Sequence, residues 1–300
     1  MYFINFAETN FFLTISEKHI VRDVSGDIRL SDYIIGKFET LKARKGLKKA
    51  ILDGRVLING KKGYTADYVR KNDVIELCAD ESEIKKVFQL KIEVIFEDEF
   101  LAVINKPAGF PVSGNYYKTI QNALPFNLSP STLPDALAVA RPVHRLDNQT
   151  RGLLLVAKTR SSQLSLHKQF EENQIQKKYC AVVIGTTEKQ GIIIDDIEGK
   201  YAETQYIKSG EYKSAKFGFL TVVDLFPKTG RTHQLRIHLA KNGTHILGDK
   251  LYGNHEKNPK DKGLFLAATG IRFMHPGTNL MTDFQLELPE KFSNYLKRIK

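Results

Sequence analysis

The chain has 300 residues, enough for one large and one small domain, and its 42% hydrophobic and 26% charged content argues against a disordered chain. A formal net charge of +11 points to a polyanionic partner, nucleic acid ahead of an anionic membrane. No apolar run approaches the ~20 residues of a membrane-spanning helix, and the best candidate, Leu153–Ala157, has the length of a core strand. Cys78 and Cys180 lie far apart without a CxxC partner. They read as small buried residues in a reducing cytoplasm, and a disulfide framework or zinc site gets little support. The N-terminus lacks the basic and apolar regions of a signal peptide.

Residues 1–28 read as short strands, FFLTI and HIVRDV, in an extension without an assigned role. Residues 29–78 form a distinct module. RLSDYIIGKF places Leu30, Tyr33, Ile34 and Phe38 at helical spacing, and GLKKAILDG does the same with Leu47, Ala50 and Ile51 before a capping Gly54. RVLINGKK then alternates as a strand and turns at Asn59–Gly60, and NDVIELCA closes with another strand. Between Lys42 and Lys62 stand eight Lys or Arg and one acid, Asp53. Such cations on a helix and the turn after it suit phosphates, and on a bland reading they are a solvated basic face. The helix pair with its GRVxxNG hairpin, Leu47–Gly60, and the later Asn72–Ile75 resemble the S-four-like RNA-binding domain. That resemblance implies backbone contacts from Lys42, Arg44, Lys45, Lys48, Lys49, Arg55, Lys61 and Lys62.

Residues 79–90, ADESEIKKVFQL, are charged, lack strong periodicity and read as a linker. Residues 91–300 are strand-rich: KIEVIFED, FLAVINKP, GLLLVAKT, KKYCAVVIG, FLTVVDLF, THQLRIHLA and TDFQLELP. One clear helix, about 161–173, interrupts them, with Leu164, Leu166, His167 and Phe170 on its apolar face. Many strands and few helices predict an α+β domain on a mixed, mostly antiparallel sheet.

Four segments of this domain carry chemistry-bearing residues: INKPAGFPV at 104–112, HRLDNQTRGLLLVAK at 144–158, KKYCAVVIG at 177–185 and KTGRTHQLRIHLAKNGTHILGDKLYG at 228–253. Read alone, Asp147 is a turn residue or salt-bridge partner, Arg145 a surface cation, Tyr179 a core aromatic and Pro107–Gly109 a common turn. His233, His238 and His245 match no metal-ligand spacing and read as packing and hydrogen-bonding residues, and Gly243, Gly248 and Asp249 read as turn residues.

Together the four segments resemble the catalytic domain of the RluA-type RNA pseudouridine synthases, over about residues 91–295. The resemblance implies a nucleophilic Asp147, which breaks a glycosidic bond while uracil rotates and rejoins through carbon 5. It implies Arg145 as the group that occupies the space of an extruded uridine. Tyr179 would stack on the uracil and is a candidate for moving the carbon-5 proton, and Leu235 would line the uracil pocket. Arg231 would pair with Asp147, holding it ionised and fixing its direction.

Two positions depart from the usual family motif: Arg151 stands in a Thr-Ser-Gly run, and Asn148 stands where an arginine often follows the aspartate. The implied reaction is an isomerisation that needs no metal, nucleotide or organic cofactor. The implied partner is RNA, large-subunit ribosomal RNA ahead of transfer RNA. The competing reading is a non-catalytic RNA-binding or ribosome-assembly factor on the same scaffold. A glycoside-hydrolase reading fails on pairing, because no motif supplies the second acid such enzymes usually present.

Overall fold

The computed structural model describes residues 15–78 except 25 and 42, residues 87–253 and residues 262–299. The chain divides into two compact units, Met1–Ile84 and Lys85–Lys300.

The first unit contains β1 (Ile15–Ile20), β2 (Ile28–Arg29), α1 (Leu30–Tyr33), α2 (Arg44–Leu52), β3 (Val56–Ile58), β4 (Lys61–Lys62), β5 (Tyr68–Val69) and β6 (Val74–Cys78). A four-stranded sheet runs β1-β6-β3-β4, and β2 pairs with β5. The described part of the 1–28 segment thus contributes β1 to the same sheet as the hairpin. Asn59 and Gly60 both have positive φ, 52° and 75°, the requirement of a tight hairpin turn. Asn59 fixes that turn by accepting the Val74 amide and donating to Asp73, each at 2.8 Å.

The helix read over RLSDYIIGKF is shorter than its apolar spacing implies. It covers Leu30–Tyr33, and Gly36 at φ 72° turns the chain. Ile34 and Phe38 are nevertheless buried with Leu30, Leu47, Ala50 and Ile51. The spacing therefore reported a buried side, which a turn satisfies as well as a helix does.

The second unit contains β7 (Glu93–Glu97), β8 (Leu101–Lys106), α3 (Ile120–Asn127), β9 (Ala136–Pro142), β10 (Arg151–Thr159), α4 (Arg160–Glu171), β11 (Gln176–Ile184), β12 (Gln190–Ile194), β13 (Glu203–Ser214), β14 (Gly218–Pro227), α5 (Gln234–Lys241), β15 (Leu266–Met274), β16 (Met281–Gln285) and α6 (Glu290–Arg298). Its sheet runs β12-β13-β14-β11-β15-β10-β8-β7, with β16 on β15 and β9 on β10. Every named pairing is antiparallel except β10 with β15. The mixed, mostly antiparallel α+β expectation therefore holds.

Buried clusters lie about the central strands, one with α5 and α6 and another with α3. The helix read at 161–173 is α4, capped by Thr159, whose side chain accepts the Ser162 amide. Leu166 is buried in it, but Leu164 is 58% exposed and belongs to the solvent side.

Two readings change. Residues 79–86 lie outside the described residues, but Phe88 and Leu90 pack against the α3 cluster, so this end of the linker segment belongs to the second unit. THQLRIHLA is no strand. Alternation of Leu235, Ile237 and Leu239 imitates a strand, yet residues 234–241 form α5, burying Gln234, Leu235, Arg236, His238 and Leu239. The buried set follows the helical rather than the two-residue period.

Candidate active site

Asp147 lies in the loop entering β10. The loop is closed by the Thr150 amide donating to the Asp147 carbonyl at 3.0 Å and by the Gly109 amide donating to the Asn148 carbonyl at 2.8 Å. Beneath it sits Lys106, the last residue of β8 and fully buried. Its ammonium donates to the carbonyl oxygens of Thr150 (2.9 Å), Pro107 (3.1 Å), Asn148 (3.2 Å) and Asp147 (3.3 Å). One cation thus ties four carbonyls of two loops, and satisfies groups that burial would otherwise leave unpaired. Burial pushes the Lys106 pKa down to about 8 against the opposing pull of Asp147.

On the other side of the loop, the partly buried His144 accepts the Leu155 amide on Nε2 at 3.0 Å, a role that requires neutral imidazole at that nitrogen. Burial, then the Lys177 charge, lowers the His144 pKa to about 3. Gly152 completes the mounting. It has φ 114°, and an added Cβ would stand 2.1 Å from the Ala268 carbonyl oxygen, so only glycine lets β10 meet β15 here.

A cleft opens at Asp147, walled by Leu146, Thr150, Lys177, His233 and Arg236. Tyr179 and Leu235 line it with Asp147, and Arg145 lies exposed at its edge. Burial, then the charge of Asp147, raises the pKa of Tyr179, which keeps the phenol protonated. Arg151 is not among the lining residues. Its charge bears instead on Lys291 of α6.

The expected Asp147–Arg231 pair is absent. Arg231 is exposed in the loop before α5, and its Nε donates to the Tyr201 carbonyl at 3.0 Å. The arginine that reaches Asp147 is Arg236, whose Nη1 lies 3.7 Å from Oδ2. The cause is the turn at His233, a left-handed residue with φ 55° that opens α5 and sends its first turn inward. Gln234 then staples the loop, accepting from Thr229 Oγ1 and the Arg231 amide and donating to the Glu203 carbonyl and Thr204 Oγ1.

Arg236 is itself held in a two-pronged pair, Nε and Nη2 each donating at 2.8 Å to the carboxylate of Asp249. Burial would lower the Arg236 pKa, but Asp249 raises it overall. In turn, Arg236 and the amides of Tyr252 and Leu251 hold the buried Asp249 carboxyl below its usual range against the cost of burial. Asp249 is therefore more than a turn residue. His233 Nε2 stands 3.8 Å from Asp147 Oδ2, while its Nδ1 shares a 2.9 Å hydrogen bond with the Tyr252 hydroxyl.

Lys106, His144 and Arg236 are what the sequence reading left unassigned, and Asp249 is the residue it took for part of a turn. Arg236 was legible in principle, being the arginine of the same motif that shares a helical face with Leu235 and Leu239. Among the described residues, no group of His, Cys, Asp and Glu could hold a metal ion.

The basic residues of the first unit are dispersed. Arg44, Lys45, Lys48, Lys49, Lys61 and Lys62 are exposed. Arg44 pairs with Asp32 at 2.8 Å, and Lys49 stands 3.9 Å from Asp53. Arg44 and Lys48 also line a shallow hollow with Arg29. Arg55 departs from the expected pattern, because its Nε and Nη2 donate to the Cys78 carbonyl at 3.2 and 3.0 Å, bracing β3 against β6. Lys42 lies outside the described residues.

A carboxylate in the loop entering a central strand of a mixed sheet thus stands beside a buried arginine and in one cleft with a tyrosine. Residues 100–241 match the RNA pseudouridylate synthase family. Ribosomal large subunit pseudouridine synthase C of Buchnera aphidicola subsp. Schizaphis graminum is 33% identical over 90% of this chain and 93% of its own. Ribosomal large subunit pseudouridine synthase D of Zymomonas mobilis is 34% identical over 70% of this chain and 73% of its own. The solved structure of human RNA Pseudouridylate Synthase Domain Containing 4 shares the fold at TM-score 0.54, with 24% identity over 69% of this chain and 92% of that one. The chain belongs to the RNA pseudouridine synthase family. No helix among the described residues is long and apolar enough to cross a membrane.

Proposed function

We propose that this protein converts uridine to pseudouridine in large-subunit ribosomal RNA in the cytoplasm, with Asp147 as nucleophile. The observation that carries this reading is the placement of Asp147 on the wall of the cleft, 3.7 Å from the buried Arg236 and in one cavity with Tyr179 and Leu235. Relatives named as ribosomal large subunit enzymes support the choice of RNA.

The bond between the sugar's anomeric carbon and N1 breaks while Asp147 stabilises the anomeric carbon covalently. The freed uracil turns within the cleft; its carbon 5 bonds to the anomeric carbon as the bond to Asp147 breaks and frees the carboxylate, and carbon 5 then loses its proton. N1 ends protonated, so no electron or co-reactant enters. Arg236, pinned by Asp249, fixes the direction of the carboxylate before substrate arrives, and this preorganisation lowers the reorganisation needed at reaction. Tyr179 stacks on the base as a neutral phenol. Its raised pKa makes phenolate scarce and argues against its acting as a strong base at neutral pH. Arg145, exposed at the edge, enters the space a flipped uridine leaves.

The first unit serves as an S-four-like grip on the RNA backbone, through the exposed Arg44, Lys45, Lys48, Lys49, Lys61 and Lys62. The buried free thiols of Cys78 and Cys180 fit a reducing compartment.

Pseudouridine mapping in ribosomal and transfer RNA from cells with and without the gene tests this reading. The expected result is loss of one or a few pseudouridines in large-subunit ribosomal RNA alone. An unchanged ribosomal map, or losses confined to transfer RNA, would refute the ribosomal assignment.

A further inference from the structure

Lys177 is the half-buried cation of the cleft that the proposed chemistry leaves unused. It precedes Tyr179 by two residues on β11, so the two side chains share a face, about 6–7 Å apart along the strand. Both line the cleft that holds Asp147. The β11–β14 ladder begins only at Tyr179, opposite Leu225, so Lys177 extends past it toward the loop after β14. There its Nζ donates to the Thr229 carbonyl at 3.3 Å.

The three cations lining or underlying this site, the buried Lys106 and Arg236 and the half-buried Lys177, differ in how they are compensated. Arg236 has the Asp249 carboxylate, and Lys106 has four carbonyls. Lys177 has one carbonyl, and among the described residues no carboxylate lies within salt-bridge distance. Burial lowers its pKa. A sequestered ammonium with so little compensation gains most from a full negative charge. A uracil carbonyl offers only a partial one. A polyanion approaching the Asp147 carboxylate also meets like-charge repulsion, which a cation lining the same cleft offsets.

We propose that Lys177 is a further substrate-binding residue, its ammonium taking a phosphodiester oxygen flanking the uridine held over Asp147. This rests on the pseudouridine synthase reading above. The strand spacing between Tyr179 and Lys177 is comparable to the step from a base to its own phosphate. One strand therefore presents a stacking ring and a phosphate ligand in register.

The test uses the full-length protein and large-subunit ribosomal RNA transcribed in vitro with uridine tritiated at carbon 5, so that tritium release reports turnover whichever uridine reacts. Lys177→Gln should raise KM about tenfold or more with kcat changed less than about threefold, the signature of a loss of uniform binding. It should also reduce the slope of log affinity against log salt by about 0.7. Lys177→Arg should restore both.

An unchanged KM and salt slope with a fallen kcat would overturn the proposal in favour of a role on the uracil. A lowered unfolding midpoint with an unchanged slope would reduce Lys177 to a structural part. Phosphate-ethylation interference on the wild-type enzyme keeps the proposal testable should the variants fail to fold. Ethylation next to the reacting uridine must weaken binding, and its failure to do so overturns the proposal. Wild-type enzyme that binds the transcript with interference relieved by Lys177→Gln, yet releases no tritium, would support the contact and sink the isomerase reading. Absence of both binding and release overturns both.

Discussion

The cations of the first unit and those around Asp147 are the same residue types put to opposite uses. Arg44 and Asp32 form a pair whose side chains are 74% and 48% exposed, whereas Arg236 and Asp249 form one at 10% and 1%. The exposed pair is worth about 0–1 kcal/mol and is screened by salt. Breaking the buried one leaves an uncompensated charge and costs about 3–5 kcal/mol. In the function proposed above, the first set supplies long-range, salt-sensitive attraction to a polyanion. The second supplies fixed geometry at one carboxylate. Burial, rather than residue identity, separates the two roles.

The largest expected effect falls on the carboxylate that the buried set serves. Asp147→Asn should lower single-turnover tritium release by roughly 10⁴-fold or more, the scale of losing a catalytic group that acts in a unit. RNA affinity should change little. Near-wild-type turnover in the purified variant would remove Asp147 from the reaction.

Next come the two arginines of one motif. Arg236→Met should destabilise the protein by about 3–5 kcal/mol in urea unfolding, because Asp249 loses its partner. The double variant Arg236→Met, Asp249→Leu should recover part of that stability and none of the activity. Arg231→Met gives up one hydrogen bond at the surface and should cost no more than about 1 kcal/mol. A larger loss of stability at Arg231 than at Arg236 would reverse the assignment of the buried partner.

The pH dependence is smaller and has a defined sign. His144 has a folded pKa of about 3 against 6.5 for the free group. Between these values the unfolded chain binds the proton and the native state does not, so stability rises with pH across this window. The contribution is fully present above 6.5 and is lost as the pH falls toward 3, by at most about 1.4 kcal/mol per pH unit. His144→Gln keeps an acceptor for the Leu155 amide and should remove this part of the slope. Urea midpoints measured from pH 4 to 7 give the comparison, and parallel curves for the two proteins would exclude a native His144 held neutral across this range.

The smallest effect on chemistry belongs to the exposed cations. Changing Lys45, Lys48, Lys61 and Lys62 together to Gln should lower the salt slope of RNA binding by about 0.7–0.9 for each phosphate no longer neutralised. The single-turnover rate at saturating enzyme should stay within about twofold. An unchanged slope would mean that this face does not meet the RNA backbone, and the S-four-like reading would fail. A slope change as large on removing Arg236 would erase the contrast between the two sets.

What the sequence determined by itself was whatever depends on near neighbours. The Asn59–Gly60 hairpin, α2 with Gly54 behind it, α4 with its Thr159 cap and the strands about Asp147 follow from local propensity and periodicity, which act over a few residues. The grouping of Asp147, Tyr179 and Leu235 came from the resemblance of their three motifs to one family, not from local propensity. Tertiary structure decided what depends on partners distant in the chain. It chose Arg236 over Arg231 because the turn at His233 starts a helix where alternating Leu235, Ile237 and Leu239 had implied a strand. It gave Asp249 a buried arginine, and it set Lys106 under a loop more than forty residues later in the chain. It also fixed Gly152 by the approach of Ala268, more than a hundred residues away. Charge and hydrogen-bond satisfaction are properties of burial, and burial belongs to the assembled sheet and helices rather than to any single segment.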